Sequence, residues 1–311
     1  MSNSSAKLVQ KRTLEFCATF DKFYPNIALF EEITKFLNKE YNIIPTRERI
    51  GKGIKFIAKH VAKSIFQCLK KSEEYRDKEF IINFIDSGFI YGESEKSFIM
   101  QHFALHILAE FIFYKPGKFD DMVPLVENYA CHEDWSVRET TADSIISGLQ
   151  KIPEETLKLL LKWTKNEDEN LRRIASESLR PHSAIKWLRD STKNDQILEI
   201  LTVLREDKSI YVRKSVGNNL KDLTKYMPEK ILKLVESWID EANIEVHDEL
   251  AMELGLNKKE KRLIWTIKHA MRWIKNRVPE LHPKLEKILG KNYLLYFNEK
   301  RNRLAKPVKK D

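Results

Sequence analysis

Three carboxylates, Glu139, Glu177 and Asp222, stand in segments rich in cationic side chains: Arg138 in the first, Arg172, Arg173 and Arg180 in the second, Arg213 and Lys214 in the third. Glu139 and Asp143, Arg173 and Glu177, and Lys214 and Asn218 are each four residues apart, so on helices each pair shares a face. Helices laid side by side would bring Glu139, Glu177 and Asp222 into one charged groove suited to a polyanion. The same spacing also fits plain ion pairs between neighbouring repeats, and both readings stand at this point. A second constellation, His102, His106 and Glu110, has the i, i+4, i+8 spacing of metal ligands on one helix face. Its flanks, Phe103, Ala104, Leu105 and Ile107, are apolar and no fourth ligand is near, so these are read as helix-face histidines. No metal and no cofactor is expected.

The elements that must position the charged residues are repeats. PEETLKLLLKW from Pro153 to Trp163 and PEKILKLVESW from Pro228 to Trp238 align without a gap, each opening on a proline suited to the first turn of a helix. Eighteen residues after each proline comes an apolar anchor, Leu171 or Val246, and the same offset joins Phe119 to Val137 and Asn194 to Val212. Small or medium residues follow the anchors four to five places on, and Ile145, Leu179, Leu220 and Leu254 follow eight places on, a core stripe. Anchor spacings of 34, 41 and 34 residues with two helices per unit predict an all-α fold, a HEAT-like α-solenoid of tandem antiparallel helical hairpins with a concave face. The expected organisation is an N-terminal helical region of unclear register over 1–118, HEAT-like repeats over 119–298 and a basic tail over 299–311. Within the first region KGIKFIAKHVAKSIFQCLKK and KSFIMQHFALHILAEFIFY read as helices, with a loop expected around Ser87 to Glu95. Trp163 and Trp238, at equivalent repeat positions, are expected to pack in the core.

Composition agrees with helices. The 311 residues are 42% hydrophobic and include only 9 Gly and 10 Pro, which argues against glycine-rich phosphate loops and turn-dense β architectures. Three widely separated cysteines give neither a disulfide framework nor zinc-ligand spacing. MSNSSAKLVQKR lacks the apolar core of a signal peptide, and no apolar run approaches the ~18 residues of a membrane span, so a cytoplasmic protein without membrane contact is expected. The net charge of +9 is concentrated near one end, residues 258–277 alone carrying eight basic side chains, Lys268 and Arg272 among them, against Glu260. Such a surplus points to a polyanion partner, the other reading, above all for 299–311, being a solubilising basic terminus.

YVRKSVGNNLKDLTKYMPEKILKLVESW, NLRRIASESLRP, WSVRE and WTIKHAMR resemble the HEAT-repeat alkylpurine DNA glycosylases of the AlkC/AlkD type, the AlkC-type branch more closely, over roughly residues 119–277. The resemblance implies a helical stack that grips duplex DNA and hydrolyses the N-glycosidic bond of cationic alkylated bases, 3-methyladenine and, in some members, 7-methylguanine. It implies catalytic roles for Glu139, Glu177 and Asp222, with Trp135 four residues before Glu139 packing on deoxyribose or base; the other reading of Trp135 is a core residue between repeats. It implies DNA contacts for Arg138, Arg172, Arg173, Arg180, Arg213, Lys214, Asn218, Lys268 and Arg272. Two positions depart from the pattern: Trp187 falls two places late after Arg180 and Pro181, and Asn218 stands where the AlkD-type pattern has a tryptophan.

The implied chemistry suits these residues. A cationic base leaves as a neutral molecule and positive charge develops on the sugar, so negative charge beside C1′ and a positioned water matter more than a strong acid. Lys214 and Lys268 are candidates for a Schiff base with an abasic sugar, but a monofunctional hydrolase is the expectation. The partner is double-stranded DNA with alkylated bases, bound by a monomer. The alternative is a non-catalytic HEAT-repeat protein that binds damaged or branched DNA.

Overall fold

The computed structural model describes residues 2–20, 23–46, 53–71, 78–181, 184–244 and 257–290. Among them the regular structure is helical. The chain divides into two compact units, Met1–Pro153 and Glu154–Asp311.

The first unit contains α1 (Ser2–Cys17), α2 (Ile27–Ile43), α3 (Ile54–Leu69), α4 (Lys78–Ser94), α5 (Phe98–Tyr114), α6 (Phe119–Ala130) and α7 (Trp135–Lys151). Its axis is α5, FIMQHFALHILAEFIFY, which is apolar on nearly every side and packs against α2, α3, α4 and α7. A helix without a polar face has no surface to give to water, so it takes the middle. The α1 end is tied down by Arg12, whose Nε and Nη2 donate to both oxygens of the fully buried Glu40 at 2.7 and 2.6 Å.

The loop expected around Ser87 to Glu95 is instead the last turns of α4. Its glycines serve packing, not a turn. A Cβ on Gly92 would lie 2.9 Å from the backbone nitrogen of Gln101, and one on Gly88 would lie 3.2 Å from both Met100 and Phe30. The chain turns only afterwards, at Lys96 with φ 52°.

The second unit contains α8 (Pro153–Trp163, whose first residue precedes the division), α9 (Glu169–Glu177), α10 (Asp195–Val203), α11 (Ile210–Leu223), α12 (Pro228–Glu241), α13 (Lys258–Ala270), α14 (Arg272–Arg277) and α15 (His282–Leu289). The helix pairs expected from the 18-residue offset are present as α6 with α7, α8 with α9 and α10 with α11. In the fourth pair α12 starts at Pro228 as expected, while Val246, Asp248, Leu250, Ala251, Met252 and Leu254 lie outside the described residues, as does the basic tail. Trp163 and Trp238 are 1% and 0% exposed, the core positions expected of them. Helix α11 lies between α9 and α13. The approach to α13 is close because residue 217 is glycine, where a Cβ would sit 2.7 Å from the His269 ring.

Each second helix opens the same way. Asp134, Asp168 and Ser209 cap α7, α9 and α11 by accepting from the backbone N–H of Ser136, Asn170 and Tyr211. Four residues after each cap an arginine reaches back over the turn. Arg138 donates to the carbonyls of His132 and Glu133, Arg172 to those of Asn166 and Glu167, and Arg213 to those of Asp207 and Lys208. Arg172 also donates to both oxygens of Asp207, at 2.6 and 3.2 Å, and so ties its own repeat to the turn that opens the next.

Candidate functional site

In the first unit α3 and α7 each flank α5 and exchange charges. Lys55 Nζ on α3 is 2.9 Å from Glu139 Oε2 on α7, and Lys59 Nζ is 3.1 Å from Asp143 Oδ2 one turn along. The i, i+4 acids expected on one face are thus met by i, i+4 lysines, a complementary pattern legible as KxxxK and ExxxD but not singled out from the sequence. Trp135, the first residue of α7, is 61% exposed, and the Lys55 ammonium lies 5.8 Å from its ring centroid. An inter-repeat core role for this tryptophan is therefore excluded. Trp135 and Glu139, one turn apart on the same face, hold an ammonium between an aromatic surface and a carboxylate.

His102 and His106 of α5 lie beneath this face, both buried. His102 Nδ1 pairs with Thr140 Oγ1 at 2.8 Å and His106 Nδ1 approaches Asp143 Oδ2 at 3.4 Å. Burial, with smaller contributions from neighbouring lysines, brings their pKa values down to about 4 and about 3, so both imidazoles stay neutral near pH 7. Burial raises the Glu110 carboxyl above its ordinary range.

In the second unit Glu177 and Asp222 are brought together by one guanidinium. Arg180 donates through Nη1 to Glu177 Oε1 at 2.8 Å and through Nε and Nη2 to Asp222 Oδ2 at 3.1 and 2.6 Å. Ser215 Oγ donates to the other Glu177 oxygen at 2.7 Å, and Arg173 stands 3.5 Å from it while covering the Tyr211 ring at 4.4 Å. Lys221 and Lys225 complete the shell at 3.1 and 2.9 Å from Asp222 Oδ1. Burial alone would raise both carboxyl pKa values, but the cations prevail. Asp222 falls to about 2 through hydrogen bonds from Arg180, Lys225 and Lys221, and Glu177 falls below its usual range through Arg173, Arg180 and Ser215. Both acids are 13–14% exposed at the side chain, so the network borders solvent.

Asn218 accepts from two donors at Oδ1: Arg272 Nη2 at 2.7 Å and His269 Nε2 at 3.1 Å. Because a guanidinium only donates, the contact with Arg272 fixes which amide atom is oxygen, and His269 must carry its proton on Nε2. Burial lowers the His269 pKa to about 4, with Arg272, Lys214, Lys221 and Lys268 adding repulsion, and Trp265 stacks on its ring at 5.1 Å. Burial also lowers the Lys268 pKa. Lys214 points to solvent.

The cationic residues expected on DNA thus divide. Arg173, Arg180, Arg272 and Lys268 are half-buried around the network and Lys214 is exposed. Arg172 and Arg213, 5% and 8% exposed, and Arg138 donate to carbonyls of the turn that precedes their helix, a structural task. Ser215, Trp265 and His269 belong to the site too; they lie in the strings YVRKSVGNNLKDL and WTIKHAMR that carry the resemblance, but are not singled out there as site residues.

No helix among the described residues is long and apolar enough to cross a membrane. Twenty-four per cent of the length of the curated relative it matches, an uncharacterized protein YhaZ of Bacillus subtilis strain 168, is spanned by this chain, at 39% identity over 89 residues or 27% of the chain. Among solved structures, AlkD2 from Streptococcus mutans superposes with a TM-score of 0.50 at 20% identity, over 78% of this chain and 97% of that one. The alkylpurine DNA glycosylase AlkC of Pseudomonas fluorescens, bound to DNA containing an abasic site analog, does so with a TM-score of 0.50 at 20% identity, over 86% and 67%. These likenesses show a shared helical fold. The profile of the DNA alkylation repair enzyme family matches residues 57–274, well over half of the sequence, and the chain belongs to that family.

Proposed function

We propose that the chain is a monofunctional DNA glycosylase that hydrolyses the N-glycosidic bond of cationic alkylated bases, 3-methyladenine and 7-methylguanine, in duplex DNA. The observation that carries this reading is the pairing of Trp135 with Glu139 around an ammonium group: an exposed aromatic face and a half-exposed carboxylate already hold a cation. A cationic base and the sugar cation it leaves behind require the same two partners. Glu139 supplies negative charge near C1′ and orients the attacking water. Arg173, Lys214, Lys268 and Arg272 meet the phosphates as positioning contacts. Glu177 and Asp222 act as ionised carboxylates held in place by Arg180; phosphates that draw Lys221 and Lys225 away would uncover the charge on Asp222. The AlkC neighbour, described as an alkylpurine DNA glycosylase on abasic-site DNA, supports the same assignment.

A second reading, DNA binding without base release, is favoured by one observation: each of the three carboxylates is paired with a cation in the free protein. Single-turnover release from matched duplexes at saturating protein separates the two. Release of 3-methyladenine or 7-methylguanine with little hypoxanthine or uracil is expected, since a neutral base does not weaken its own bond, and ~1.4 kcal/mol of leaving-group stabilisation is worth tenfold in rate. Binding without release of any base would overturn the enzymatic reading. Efficient release of uracil would overturn the charge-selective mechanism.

A further inference from the structure

We propose that Lys55 is a stand-in cation: in the free protein its ammonium occupies the Trp135–Glu139 site, and a cationic nucleobase displaces it. This rests on the reading that the site receives a cationic base, and it adds a chain element that competes with the base for that site.

The pair that holds Lys55 is open and loosely built. Both charged side chains are 41% exposed, Trp135 is 61% exposed, and an exposed ion pair of this kind is weak. Lys55 is the second residue of α3, whose N-cap Gly53 offers no side-chain hydrogen bond. A cation there faces the positive end of the helix, which favours its leaving. One turn along, Lys59 pairs with Asp143 between the same two helices and at a similar distance, but Asp143 is only 24% exposed and also has His106 at 3.4 Å. Lys59 therefore has the same charge in a site without an exposed tryptophan, and it serves as an internal control.

Selectivity follows from the exchange. A cationic base that moves Lys55 aside replaces one cation with another and leaves Glu139 paired. A neutral base that did so would leave the carboxylate without a counter-charge, so the lysine keeps its place. The Glu139 carboxylate thus rejects the neutral base, and the ammonium, by competing, lowers affinity for the cationic one.

The test is binding, so that it does not depend on bond cleavage. Fluorescence anisotropy would compare duplexes carrying 7-methylguanine on a cleavage-resistant 2′-fluoro sugar with matched guanine duplexes, for the parent, Lys55→Met, Lys55→Arg and Lys59→Met. Lys55→Met should raise the preference for the methylated duplex by roughly three- to thirty-fold, the combined worth of one exposed ion pair and one exposed cation–π contact. Lys55→Arg, which keeps the cation, and Lys59→Met, which removes an equal charge elsewhere, should stay near the parent ratio. Glu139→Gln combined with Lys55→Met should abolish the gain. An unchanged or reduced preference in Lys55→Met would overturn the proposal and make Lys55 a fixed partner of Glu139. Lys55→Gln, checked by circular dichroism, repeats the measurement should methionine disturb the fold. Absence of base release by the parent protein would refute the enzymatic reading while leaving the binding ratios to decide this one.

Discussion

Replacing Arg172 should damage the fold and leave DNA binding intact, the reverse of what its place in an arginine pair suggests. Its side chain is 7% exposed and that of its partner Asp207 is 8% exposed, and the guanidinium donates to both Asp207 oxygens and to the carbonyls of Asn166 and Glu167. Arg172→Met would leave a carboxylate and two carbonyls at that turn without their donor. Removing one partner of a buried ion pair costs about 3–5 kcal/mol, and for a unit of this size each kilocalorie is worth about 2–4 °C, so the second unit should melt about 6–20 °C lower. Adding Asp207→Leu should recover only part of that stability, because Asp207 Oδ1 also accepts from the backbone N–H of Ser209 at 2.7 Å. Calorimetry measures the melting, and titrations over a range of salt measure the DNA interaction. A melting point within about 2 °C of the parent, together with a shallower salt slope, would refute the structural assignment and return Arg172 to the phosphates.

Glu139→Gln should slow base release by roughly 10² or more, the scale set by one preorganised electrostatic group, while thermal stability shifts by under ~0.5 kcal/mol because the pair it breaks is half exposed. Stopped single-turnover assays beside melting curves check both halves. Arg173→Ala should weaken binding to all sequences alike and lower the slope of log K against log salt by about 0.9, the share of one neutralised phosphate; an unchanged slope would remove it from the interface. Asp222, held at about 2 against an ordinary 3.8, contributes stability that is complete above about pH 4 and disappears as the pH falls towards 2, because the unfolded carboxyl takes up its proton first. Urea titrations from pH 5 to 2 should therefore show a shallower acid destabilisation in Asp222→Asn than in the parent, and parallel curves would contradict the cationic shell.

Much of the repeat architecture is legible because its determinants are local. Pro153 and Pro228 stand at the first position of their helices, where proline is preorganised, the anchors at Val137, Leu171 and Val212 follow at fixed offsets, and Trp163 and Trp238 mark equivalent buried positions. The first unit resists the same reading because α5 has no polar face from which a period can be taken, and because Gly88 and Gly92, which look like turn residues, are small to let α4 approach α5. Arginine roles are the least legible. Arg172 and Arg173 are adjacent, yet one turns inward to a buried aspartate and the other lies over Tyr211 beside Glu177. Composition is blind to that difference, although the recurring capping residue with arginine four places later is a sequence signal in hindsight.

The two charged faces differ in a way that bears on their tasks. Asp222 is surrounded by three cations and Glu177 by two, so in the free protein that network presents positive potential and fixed donors, the properties of a surface for phosphates. Among the described residues Glu139 has a single lysine partner, at a half-exposed position beside an exposed aromatic ring, so its charge is the more easily released to a cation from outside. Stabilising positive charge on a sugar requires net negative potential at the reacting atom, and only the Glu139 face can offer that without first giving up several counter-ions. On the proposed reading, phosphates that take counter-ions from Asp222 would uncover its charge, while undamaged DNA, which brings phosphates but no cationic base, leaves Lys55 in place on Glu139.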